Sequence, residues 1–331
     1  MFSTYLLVAF MLSAPRGPAA GGSIEQRGLQ KDFDRLTRGF DGRVGICVQD
    51  DSGTVCINGD QRFSLQSVMK LVVGMAVMDA VDNDGWRWDE PVLVRREDLS
   101  LYVEPIAKLV TAKGYLTTID DLVRRAIVDS DSAAADILVK RLGGPAQIQG
   151  FLDRKGVMGV RFDRDEKHLQ TEIVGLSWRP EFVDPDALQR ATDAVREGQR
   201  DAAYRKYQTD PRDTATPNGM ASLLQALATE KLLSATSTKH LLDVMAATVT
   251  FPDRLKAGVP EGWTLGHKTG TSGPWKGVTA ATNDVGILTA PDGSRLSLAV
   301  FIADSRASSK ERAALMAGIA RSVVARYRGQ Q

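Results

Sequence analysis

The sequence predicts a mixed α/β fold, an α+β sandwich. One antiparallel sheet of N- and C-terminal strands is covered by the terminal helices, and an all-α subdomain is inserted between the two strand sets. Three observations carry this expectation. Short apolar runs at 44–48 and 54–57 flank a turn cluster, Asp50-Asp51-Ser52-Gly53. From Ser67 to about Val249 apolar residues recur at helical spacing, broken by Gly, Pro and Asp. Strand-like runs then return at 264–267, 278–288 and 296–303, with Pro291-Asp292-Gly293 as the turn between the last two.

Residues 24–39 are polar, with Ile24, Leu29, Phe33 and Leu36 near helical spacing, so a helix precedes the first strands. In the hairpin that follows, facing Asp50 with Gly53 sets Cys47 opposite Cys56, which fits a cross-strand disulfide or two buried reduced thiols. The helical block divides into segments near 67–81, 119–128, 132–142, 145–155, 186–208 and 218–229. An amphipathic segment over 310–327 closes the chain. No internal repeat or long linker separates modules, so residues 24–327 read as one domain. Its α/β part covers about 24–63 and 250–327, and its helical part about 64–249.

Composition narrows the function. With 331 residues, 43% of them hydrophobic and 25% charged, the chain is a folded protein with a substantial core. Lys and Arg total 42 against 41 Asp and Glu, which leaves no basic excess to bind a phosphate backbone, so nucleic acid is not an expected partner. Three histidines and two cysteines without metal-ligand spacing argue against a built metal site, and no cofactor is expected. At the amino end an apolar run over 5–14, too short to span a bilayer, precedes a Pro-, Gly- and Ala-containing stretch through Gly22. Residues 1–20 therefore read as an export signal, and the mature protein is expected to be periplasmic or secreted, with no membrane attachment once the signal is removed.

No Gly-x-Ser-x-Gly elbow is present, and the histidines lie in separate contexts, so a base other than histidine is wanted for a serine nucleophile. Ser67-Val68-Met69-Lys70 supplies one: an i, i+3 spacing at a helix start sets hydroxyl and amine on one face, beside backbone N–H groups that favour developing negative charge. A lysine partly buried there loses pKa by desolvation and can act as a base. Further on come Ser130-Asp131-Ser132 at the start of a helix and Lys268-Thr269-Gly270-Thr271 at the end of a strand.

Taken in order, these three motifs resemble the signature set of class A β-lactamases and penicillin-binding proteins. The resemblance spans residues 24–327. Asp163-Arg164-Asp165-Glu166-Lys167-His168-Leu169-Gln170 resembles the start of the omega loop that marks the β-lactamases, and the segment through Asp210-Pro211-Arg212-Asp213 resembles its end. It implies an exported, monomeric serine hydrolase that opens the β-lactam ring of penicillins and cephalosporins. Ser67 would form the acyl-enzyme, with the N–H groups of Ser67 and Thr271 as oxyanion hole. Lys70 or a Glu166-activated water would take the serine proton, and Ser130 would pass a proton to the leaving nitrogen. Lys268, Thr269 and Thr271 would hold the substrate carboxylate, with Gly270 in the same motif. Glu166 would activate the hydrolytic water, positioned by Gln170, and Tyr102 would stand at the pocket rim. Arg164 and Asp213 would close the loop as an ion pair, and Asp131 would organise the loop it sits in.

Three departures from the family pattern stand out. Ser132 replaces asparagine in the second motif, and its hydroxymethyl is shorter than the carboxamide that would contact the substrate's acylamino group. Gln170 also replaces asparagine, adding a methylene. Arg164 and Asp213 lie 49 positions apart, so roughly 34 residues, within about 172–209, read as an insertion beside the site. Such a segment would act as a lid or as surface decoration. The insertion and Ser132 favour a related serine esterase or D-alanyl peptidase with poor β-lactam turnover, whereas Glu166 and Gln170 favour the β-lactamase. A penicillin-binding protein that acylates without hydrolysing is the third reading.

Overall fold

The computed structural model describes residues 22–329, so the expected export signal lies outside the described residues. Five strands form the main sheet: β1 (Arg43–Asp50), β2 (Gly53–Ile57), β3 (Thr264–Thr271), β4 (Thr282–Thr289) and β5 (Arg295–Ala303). They are ordered β2-β1-β5-β4-β3, every pair antiparallel. The expected fold class is therefore observed: strands from both ends of the chain share one sheet.

Side-chain alternation along the strands separates two cores. Ile46, Val48, Val300 and Ile302 face outward, onto Leu29 and Phe33 of helix α1 (Gln26–Thr37) and Leu315, Met316 and Ile319 of the closing helix over Ser309–Arg326. Cys47, Val285, Ile287, Ala299 and Phe301 face inward, onto the helical block. The hairpin register pairs Asp50 with Gly53 and Cys47 with Cys56, and the two cysteines are joined as a disulfide.

The block comprises α2 (Met69–Asn83), α3 (Ile119–Arg124), α4 (Ser132–Arg141), α5 (Pro145–Arg154), α6 (Glu166–Ile173), α7 (Pro185–Asp193), α8 (Glu197–Thr209), α9 (Pro217–Ala228) and α10 (Ala235–Ala246), and the closing helix is α11. Helix α2 is buried without interruption from Met69 to Ala80, the pattern of a helix apolar on every side and enclosed by others.

Four sequence-based expectations are corrected. The segment expected as one helix over 186–208 is two, α7 and α8. Leu188 of α7 packs with Leu101 and Phe182, while Tyr204 and Tyr207 of α8 enter the main core, and the chain breaks between those two destinations. The strand expected over 278–288 is also divided: Val278–Thr279 pairs with Pro274–Trp275, and the ladder resumes at Thr282. Between them the Ala280 N–H donates to the Tyr204 hydroxyl, 2.9 Å away, instead of to a strand. The strand expected over 264–267 runs on to Thr271, because Thr282 and Asn283 pair with Thr271 and Gly270. Helix α3 stops at Arg124 and continues as one π-helical turn, Arg125–Asp129, that hands over to Ser130 in a left-handed conformation, φ 61°. Helices α6 and α10 lie outside the segments expected as helical.

Candidate active site

Ser67 sits in a 3-10 turn, Gln66–Val68, that runs directly into α2, so Lys70 emerges one turn later on the same side. The Lys70 ammonium donates to Ser67 Oγ at 3.1 Å, to the Ser130 carbonyl at 2.7 Å and to Ser132 Oγ at 3.1 Å. The Ser67 hydroxyl in turn donates to Glu166 Oε1 at 3.3 Å, and Lys70 Nζ lies 3.2 Å from the same oxygen. Lys70 and Glu166 are 1% and 2% exposed, a buried ion pair whose remaining hydrogen-bonding capacity is filled by neighbours. A hydroxyl, an amine and a carboxylate thus meet at one point.

The second wall comes from the turn before α4 and from β3. Asp131 caps α4 by accepting from the Ala134 N–H at 2.9 Å, and its other oxygen accepts from the Ile106 N–H at 2.7 Å, which fixes the loop. Ser130 Oγ accepts from Lys268 Nζ at 2.9 Å. Burial, and after it the charge of Lys70, hold the Lys268 amine well below the usual lysine range. At Gly270 a Cβ would stand 2.7 Å from the Leu65 carbonyl oxygen and 3.1 Å from Ser67 N, so only glycine lets β3 lie against the nucleophile's turn. Thr271 Oγ1 accepts from the Arg254 guanidinium at 2.6 Å. The Thr269 hydroxyl shares a 2.7 Å hydrogen bond with Thr250, in which either oxygen can donate.

The carboxylate is held from the third side. Asp165 caps α6, and the Glu166 N–H donates to Asp136 at 2.8 Å. Gln170, one turn along α6, donates to Glu166 Oε2 at 3.1 Å and to Gln66 Oε1 at 2.9 Å. Arg164 Nε meets Asp213 at 2.6 Å, and the other oxygen of Asp213 accepts the N–H groups of Asp163 and Arg164, at 2.7 and 2.9 Å. The expected loop-closing pair is therefore formed. Glu172 extends it, lying 2.6 Å from Arg164 and 2.7 Å from Arg212.

A cavity of about 330 Å³ opens over these groups, lined by Ser67, Ser132, Glu166, Gln170 and Thr271, with Tyr102 at its rim, 58% exposed and at φ 64°. Arg200 and Tyr204 of α8 and Trp275 line it as well. A larger hollow of about 590 Å³ near Arg43, Arg205 and Asp304 holds none of the motif residues. Among the described residues no cluster of His, Cys, Asp or Glu could hold a metal ion. His267 is buried against Asp284 at 2.8 Å and not against a serine.

Four residues of the site carried no motif. Gln66, at φ 48°, links Gln170 to the Tyr207 hydroxyl. Asp136 anchors the start of α6, and burial together with the charge of Asp165 pushes its carboxyl up to about 7. Arg254 lies behind β3, where burial lowers its guanidinium to about 10. Tyr207 is buried and donates to Ser64 Oγ at 2.9 Å. Gln66 adjoins the nucleophile but acts through partners 104 and 141 positions away, and no local spacing marks any of the four.

The model of the beta-lactamase enzyme family matches residues 28–327. The extended-spectrum beta-lactamase PER-1 of Pseudomonas aeruginosa is 31% identical over 297 residues, covering 89% of this chain and 85% of that protein. Among solved structures, an ancestral class A beta-lactamase superposes with a TM-score of 0.71 at 30% identity, covering 90% of this chain and 99% of its own. A beta-lactamase from Chitinophaga pinensis gives a TM-score of 0.73 at 27% identity, covering 89% and 97%.

Proposed function

The chain belongs to the beta-lactamase enzyme family, and from that premise we propose that it is an exported class A serine hydrolase whose acyl-enzyme is cleared by a water activated at Glu166. The observation that carries the route is the meeting of Ser67, Lys70 and Glu166 within 3.3 Å of one another.

Acylation begins when Ser67 Oγ attacks the β-lactam carbonyl carbon. Its proton passes to Lys70, once that ammonium has handed its own proton to Glu166 across 3.2 Å, or to a Glu166-held water, and the carbonyl oxygen gains its charge against the N–H groups of Ser67 and Thr271. The ring C–N bond then breaks, and Ser130 gives its proton to the departing nitrogen. The proximity of both lysines to Ser130, at 2.9 Å for Lys268 and 3.4 Å for Lys70, favours that transfer and allows the hydroxyl to be reprotonated. The charge of Lys268 and the hydroxyl of Thr271 serve the substrate carboxylate. Thr269 joins them where Thr250 is the donor of their shared hydrogen bond, which leaves the Thr269 proton for the substrate.

Deacylation runs on the opposite side. Glu166 takes a proton from water as the water attacks the ester carbon, Ser67 leaves with a proton, and the opened product departs. Gln170 holds the base in position and supplies a polar group for the water. A penicillin-binding protein that acylates without hydrolysing needs no carboxylate so held, and the β-lactamase reading is preferred to an esterase or peptidase on Glu166, Gln170 and the match to beta-lactamases. Among the described residues no helix is long and apolar enough to cross a membrane. Export rests on the segment over 1–20. We further take the segment 172–209 as an insertion into the loop closed by Arg164 and Asp213.

The test is labelling. Ser67→Ala should show no covalent adduct with benzylpenicillin by intact mass, and a labelled alanine variant would contradict the assignment of the nucleophile.

A further inference from the structure

Arg200, Tyr204 and Tyr207 lie at i, i+4 and i+7 of α8, so one stripe of that helix faces the site. The stripe is anchored. The Tyr204 hydroxyl accepts from the Ala280 N–H at 2.9 Å and lies 2.9 Å from the Val278 carbonyl and 3.1 Å from that of Gly273. Tyr207 is tied to Ser64 and Gln66, on the approach to the nucleophile. Arg200 stacks on the Trp275 ring, 4.1 Å from its centroid, and is half-buried in the lining of the cavity that also includes Ser67.

The electrostatics of this arginine are unusual. Among the described residues its guanidinium makes no ion pair and no side-chain hydrogen bond. The adjacent carboxylate, Asp201, is taken by Trp275 Nε1 at 2.6 Å and Lys276 at 2.7 Å. Glu104 and Asp193 share a second hollow with Arg200 but form no ion pair with it. The other cations of the site are committed, Lys268 to Ser130, Lys70 to Ser67, Ser130 and Glu166, and Arg254 to Thr271. A planar cation is therefore held by stacking in a cavity continuous with the nucleophile, its donors unspent.

We infer that Arg200 is a specificity-determining residue, which selects acyl substrates whose side chain ends in a carboxylate. A substrate acylated at Ser67 leaves its side chain in the cavity that Ser132 and Gln170 also line. Arg200 lines the same cavity, where a carboxylate gains a charge-assisted, bidentate partner already in place. The short side chain of Ser132 leaves the room that an asparagine would fill. This inference rests on the reactive Ser67 of the proposed function but not on β-lactam turnover.

The test uses two serine-trapping probes, phenylacetamidomethylboronic acid and its ring-carboxylated analogue, both of which bond through boron to a reactive serine oxygen. Their dissociation constants are measured by calorimetry on the whole mature protein and on Arg200→Met and Arg200→Lys. Methionine keeps the stack on Trp275 without the charge, and lysine keeps the charge. The wild type should favour the carboxylated probe by about tenfold, Arg200→Met should lose that preference, and Arg200→Lys should keep most of it. A preference that survives Arg200→Met belongs to Lys268 and overturns the inference, as does equal binding of the two probes, or no binding of either, by the wild type. Benzylpenicillin turnover is followed in parallel. A wild type that binds both boronates without hydrolysing penicillin defeats the proposed function, while the probe ratio still decides the role of Arg200.

Discussion

The side-chain amide of Gln170 donates to Glu166 Oε2 at 3.1 Å, and the same nitrogen reaches Gln66, the residue before the nucleophile, at 2.9 Å. Base and nucleophile are thus tied through one amide, and Gln66 passes the connection on to Tyr207 of α8. The extra methylene of Gln170 lets one side chain span both partners.

If Glu166 activates the deacylating water, Glu166→Ala should still acylate but accumulate a penicilloyl adduct visible by intact mass. Its deacylation should slow on the order of 10²-fold or more, the usual worth of a positioned general base. Gln170→Ala should slow the same step by about tenfold through looser positioning. Unchanged turnover in the glutamate variant would remove it from the mechanism.

The Lys268 amine is held below the ordinary lysine range by burial and by Lys70. Its charged form is the useful one, so kcat/KM should fall as pH rises through that lowered value, giving an alkaline limb earlier than a free lysine would. Lys268→Arg keeps its charge throughout and should move the limb upward. An alkaline limb at the same pH in both proteins would assign it to another group.

Arg164 is buried, and Asp213 is its principal partner at 2.6 Å. Asp213→Asn removes that countercharge. The fold should lose about 3 kcal/mol in urea unfolding, the low end for breaking a buried pair, because Glu172 and Asp210 still face the guanidinium. Deacylation should suffer more than acylation, since Glu166 lies on the segment this pair closes. Equal loss in both steps would mean that the pair supports the whole site.

The sequence made legible what is local and periodic. The hairpin register of Cys47 and Cys56, the shared sheet and the three motifs follow from spacing within short segments. The Arg164–Asp213 pair, 49 positions apart, came from resemblance, because no local rule reaches that far. What stayed hidden depends on tertiary placement. The break between α7 and α8 answers to two packing destinations, and the interruption before Thr282 answers to the Tyr204 hydroxyl. Gln66, Asp136 and Arg254 act through partners that only the fold brings near. Helix α10 is different: Ser234 as its cap and Leu241, Val244 and Met245 at helical spacing are local signals of a helix.

The central claim, acylation at Ser67 followed by hydrolysis through Glu166, is tested most directly by the purified mature protein. It is given benzylpenicillin and a chromogenic cephalosporin while intact mass is followed during the reaction. The account predicts turnover of both with no accumulating adduct. A stable adduct without turnover, or neither adduct nor turnover, would contradict it.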